Sequence, residues 1–87
     1  MFHHRHLGKN LQAIRANLRT LISSGQIGMG GYKIGKIYGL LNCKAGKRMK
    51  MENRVFFESE AEAIQEGYRP CGHCMPEKYK IWKAAAQ

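Results

Sequence analysis

Acidic side chains are scarce in this chain, 6 against 15 Lys and Arg, so 87 residues carry a net charge of +9. Such a field points to an anionic partner, most often nucleic acid. The plain alternative is a basic surface that serves solubility alone. Long apolar runs are missing as well, which excludes a transmembrane helix. No apolar h-region follows the basic start MFHHRHLGKN, so that start is not read as a secretory signal. Cysteine is present three times, an odd count that argues against a closed disulfide framework. A reducing cytoplasm fits best, and there clustered cysteines serve metal binding or catalysis. The chain is long enough for one small domain whose core is marginal by itself, so a metal would help to hold it.

What is present reads as a short alternation of helices and strands. Residues 10–24 place Leu11, Ile14, Leu18, Leu21 and Ile22 on one helical stripe, with Asn10 as N-cap and Gly25 as the stop. GMGG, residues 28–31, reads as a turn or flexible loop, and a strand is expected over about 32–38. A basic loop, CKAGKRMKMEN, leads to a second strand in RVFFE, residues 54–58. Ser59 and Glu62 form a capping box for a helix over about 60–66 that Gly67 ends. Pro76 opens a last helix over about 76–85, with Tyr79, Ile81 and Trp82 available to pack it on the core. The expected fold class is α+β: one zinc-stabilised domain with a short antiparallel sheet flanked by helices. Residues 1–9 form an N-terminal segment and 10–87 the domain.

The chemistry concentrates in YRPCGHC. A Cys-x-x-C pair at a tight turn aims two sulfurs at one point, and Gly72 relieves the backbone between them. Zinc takes four ligands in a tetrahedron, usually thiolate and imidazole. Cys71 and Cys74 form the knuckle, and Cys43, beside an expected strand, is the third sulfur. The competing reading, a redox pair with Cys43 as a small core residue, needs a βαβ context that this pattern does not offer. The fourth corner falls to His4, with His6, His3 or water behind it. Phe2 anchors the extended start, and alternation turns His4 inward beside it. A frayed terminus is the alternative. His73, inside the turn, is poorly placed to reach the same ion.

The run YGLLNCKAGKRMKMENRVFFESEAEAIQEGYRPCGHCMP, within residues 31–77, resembles the metal-binding domain of the Ada DNA-repair family. The shared order is a cysteine, a basic stretch, E-N-R-V-F-F, a capped helix and G-Y-R-P-C-x-x-C. The resemblance implies one zinc on four cysteines, one of which accepts a methyl group from a methylphosphotriester in DNA. Cys71 and Cys74 match the second pair, and Cys43 the second cysteine of the first pair. The acceptor position falls on Gly39, which has no thiolate, so methyl transfer is not expected. The resemblance also implies that the basic loop and the Arg of R-P-C face the DNA backbone. Lys44, Lys47, Arg48, Lys50, Arg54 and Arg69 are therefore the expected phosphate contacts, sequence-independent and salt-sensitive. Two other readings stay open: a repair methyl acceptor that uses Cys43, and a zinc-organised protein-interaction module. Gly30, Gly35 and Lys36 imitate a P-loop, but Ile37 stands where its hydroxyl residue belongs and no helix follows.

Overall fold

A computed structural model describes residues 1–85; Ala86, Gln87 and the side chain of Lys47 lie outside the described residues. Five strands, β1 (Phe2–His3), β2 (Met29–Tyr32), β3 (Ile37–Gly39), β4 (Arg54–Phe57) and β5 (Arg69–Pro70), form one sheet in the order β1-β4-β2-β3-β5. Neighbours are antiparallel except β3 and β5, which run parallel. Four helices flank it: α1 (Leu11–Ser23), α2 (Lys44–Lys47), α3 (Glu60–Gln65) and α4 (Pro76–Ala85). The fold is α+β. Among the described residues, no helix is long and apolar enough to cross a membrane.

The helix signals act where the sequence places them. Asn10 accepts a bond from the Ala13 amide at 2.8 Å, and Ser59 accepts from the Glu62 amide at 3.2 Å. Glu62 closes its box one residue early, accepting from the Glu58 amide at 3.1 Å. Gly25 and Gly67 follow α1 and α3 at φ of +81° and +85°, a left-handed stop that a side chain would strain.

The strand expectations need one correction. Of residues 28–31 only Gly28 lies outside a strand: Met29 begins β2, and Gly30 and Gly31 lie buried in the middle of the sheet. The strand expected over 32–38 is broken by a turn at residues 33–36, and Tyr32 pairs with Ile37 across it. Lys36 sits at φ +52° to make that turn. The physical reason is contact. A Cβ on Gly31 would stand 2.8 Å from a Phe57 ring carbon and 3.0 Å from a Val55 methyl. Glycine is there because the opposite residues are large.

Side chains alternate across the sheet, so its two faces have separate tasks. One face carries the core of Tyr38, Val55, Phe57, Ala63 and Tyr68, with Met29 and Met75 packed against it. The other face carries Arg54, Phe56, Gly30 and Gly39, which the register sets side by side. The N-terminal segment is tied in, since Phe2 pairs with Phe56 and His3 with Val55.

Candidate metal centre

Three local structures bring the cysteines together. Pro70 lies on the edge strand β5, where its missing N–H is harmless. The amides on either side of it bond back to β3, Arg69 to the Lys36 carbonyl at 2.9 Å and Cys71 to the Tyr38 carbonyl at 2.8 Å. This parallel register sets Cys71 beside Gly39. The turn then closes through the Met75 amide, which donates to the Cys71 carbonyl at 3.0 Å, and swings Cys74 to the same side. Cys43 follows β3 by a turn of its own, its amide donating to the Leu40 carbonyl at 3.1 Å. The three Sγ atoms all lie within 4.8 Å of one another. A zinc ion about 2.3 Å from each thiolate needs sulfurs about 3.8 Å apart. The donor set and its spacing fit that ion.

The surroundings favour thiolates unevenly. Burial pushes the Cys43 thiol up, but the Gly46 and Ala45 amides and the neighbouring thiols outweigh it, so its pKa falls below the ordinary value. Burial holds Cys74 up at about 11, against the Leu40 amide that donates to its sulfur at 3.4 Å. A bound zinc deprotonates a coordinating thiol outright. The Leu40 bond is the outer support that orients such a ligand.

Gly39 faces this cluster directly. A Cβ there would lie 2.8 Å from the Cys74 sulfur and 3.1 Å from Cys71 Cβ. Gly39, which the resemblance matches to the acceptor position, thus faces the metal centre in space.

The metal-binding domain of Ada matches residues 26–77. The chain belongs to that family. No curated protein and no solved structure gives a significant match. Membership of the Ada family and the cluster of Cys43, Cys71 and Cys74 make zinc the cofactor.

The structure does not bring His4 to the sulfurs. It follows β1, at the sheet edge opposite β5, and packs edge-on against Phe56 with ring centroids 5.2 Å apart. Burial, then the nearby Arg54, lowers its pKa, and its buried Nδ1 has no hydrogen-bond partner. His3 and His6 pair with each other at 5.4 Å, and His73 is exposed. Among the described residues, the metal-binding group holds the three cysteines and no histidine.

The six expected phosphate contacts separate. Lys44, Arg48 and Lys50 are exposed on and after α2, next to Cys43. The backbone of Lys47 ends α2, and its side chain lies outside the described residues. Arg54 is half-buried over the Phe56 ring, 4.9 Å from its centroid, and burial lowers its pKa. Arg69 turns to α4 instead. Its guanidinium lies 5.0 Å from Tyr79 and 5.5 Å from Trp82, and it donates to the Pro70 carbonyl at 3.0 Å.

Sequence reasoning missed one polar network. Tyr38 donates to Glu60 at 2.9 Å, and Lys78 reaches the same carboxylate at 2.6 Å. It joins the metal-bearing strand to α3 and α4. No local signal marks it, because the partners come from three separate elements.

Proposed function

We propose that this chain is a zinc-held module that grips the phosphate backbone of DNA, without reading bases and without chemistry on the DNA. The observation that carries it is the exposure of Lys44, Arg48 and Lys50 on the segment beside Cys43. The net charge of +9 extends that patch into a field that attracts a polyanion. Gly39 at the acceptor position supports the non-catalytic part, since methyl transfer needs a thiolate nucleophile there. Cys43 is 8% exposed, which works against its meeting a methyl group on a DNA backbone.

Fluorescence anisotropy with labelled duplex DNA tests this reading. Three phosphate contacts predict a log–log salt slope of about −2.7, a roughly 40-fold loss of affinity between 50 and 200 mM salt. Affinity that ignores salt, or none at low salt, defeats the proposal. The methyl-acceptor reading is tested by mass spectrometry after incubation with methylphosphotriester DNA, where no mass gain on Cys43 is expected. A protein-interaction module is the second reading, favoured by Ile64, Ile81 and Trp82, which are 56%, 71% and 40% exposed. Absent DNA affinity together with a defined co-purifying protein would put it first.

A further inference from the structure

A cavity of about 330 Å³ opens on the sheet face that carries the metal centre. That volume lies within the roughly 300–1,000 Å³ of small-molecule sites. Its floor is backbone, from Gly30, Gly31 and Gly39, and Tyr32, Ile37 and Met49 wall it. Arg48 and Arg54 line it, and Cys43 and Cys71 close the side toward the metal centre.

Two features mark this as more than loose packing. The first is Gly30. It lies in the central strand β2, yet a Cβ on it would meet nothing closer than a Leu41 methyl at 3.9 Å and an Arg54 nitrogen at 4.0 Å. Unlike Gly31, it is not excluded from carrying a side chain by any neighbour. A β-branched residue would suit the strand and fill the space. The second is charge. Arg54 is half-buried over the Phe56 ring, and among the described residues neither its side chain nor that of Arg48 makes a salt bridge or hydrogen bond. The nearby Cys43 thiolate, which a bound zinc shares, offsets only part of the burial cost of Arg54, so a desolvated guanidinium here gains from an anion that arrives. No carboxylate lines the cavity to supply it.

We propose that this cavity binds the phosphate monoester of a single nucleotide. Arg48 and Arg54 take the phosphate, and the planar base lies over the glycine floor against Tyr32 and Met49. Two guanidinium groups balance the two charges of a monoester, and Arg is the side chain whose fork matches its oxygens. A side-chain-free floor presents a flat surface to a ring. The inference deepens the DNA-binding reading and rests on it for the choice of phosphate over other oxyanions. The monoester belongs either to a free nucleotide or to the 5′ end of a DNA strand.

The test is titration of the zinc-loaded full chain with thymidine 5′-monophosphate, followed by amide NMR and calorimetry. Saturable shifts at Gly30, Gly31, Gly39 and Gly46 are expected, with Kd on the order of 100 μM or tighter. Thymidine and inorganic phosphate should each bind at least about tenfold more weakly, as should the nucleotide to the exposed-site variant Arg48→Ala. Gly30→Val should keep its zinc, melt no lower than the unsubstituted chain and lose the nucleotide. A parallel titration compares 5′-phosphorylated with 5′-hydroxyl single-stranded DNA; preference for the former assigns the site to strand ends, and its absence assigns it to free nucleotide. No saturation by the nucleotide, equal binding of inorganic phosphate, or unchanged binding by folded Gly30→Val overturns the inference. Salt-sensitive duplex binding that survives Gly30→Val leaves the backbone-gripping role standing whichever way that result falls.

Discussion

Gly30 and Gly31 are neighbours in one strand, and the structure gives them opposite tolerances. A methyl group on Gly31 enters space already held by Phe57 at 2.8 Å, Val55 at 3.0 Å and the Ile37 carbonyl at 3.2 Å. Both side chains are fully buried and the third atom is backbone, so none can swing away. Overpacking of this kind costs about 1–3 kcal/mol. For a domain of this size each kcal/mol moves Tm by about 4–8 °C, so Gly31→Ala should lower Tm by roughly 8–16 °C at the middle of that range. The same methyl on Gly30 meets only ordinary contacts. Removing a strand glycine there should stabilise by about 0.5–1 kcal/mol, raising Tm by a few degrees. Thermal melts followed by circular dichroism, at one fixed excess of free zinc, make the comparison. Fixed zinc matters because bound metal adds its own term to stability. Equal Tm values for the two variants, or a larger loss for Gly30→Ala, would refute the assignment of the two faces of β2.

Three further outcomes follow from the same geometry. Removing zinc with a chelator should lower stability by about 4 kcal/mol relative to free zinc held at about 1,000 times Kd, and Cys71→Ser should lose stoichiometric zinc; metal analysis and denaturant melts measure both. His4→Ala should retain one zinc per chain by metal analysis, because His4 packs on Phe56 at the far edge of the sheet; a chain that loses its zinc would return His4 to the metal. Tyr38 ionises late, its pKa pushed up to about 12 by burial and by the Glu60 carboxylate. Its folded-state pKa exceeds the free value, so its contribution to stability is full below about pH 10 and is lost as the pH rises toward 12. Phenolate absorbance should show a component near pH 12 that Tyr38→Phe deletes.

Much of this protein was legible in its residues because the signals are local. Asn10, Ser59 with Glu62, and Pro76 start helices through bonds within one turn, and Gly25 and Gly67 end them by backbone conformation. The zinc cysteines were legible too, because a Cys-x-x-C turn needs few distant residues and the Ada motif order supplies the third sulfur. Composition alone carried the positive field.

What depended on strand pairing was not legible. Gly30 and Gly31 look like a loop until Val55 and Phe57 are set opposite them. The strand expected to carry His4 ends at His3 and His4 opens a 3-10 turn, while β1 pairs with β4 and leaves it across the sheet from the sulfurs. Arg69 sits one residue from the knuckle proline, but the rings of Tyr79 and Trp82 draw it to α4. The cavity exists only because the register aligns Gly30 with Gly39 while Arg54 and the α2 loop close over them. Caps, stops and ligand spacing act over one turn of chain, so the sequence by itself determines them. Faces, edges and cavities are sums over elements far apart in sequence, and only their packing decides which residues share one.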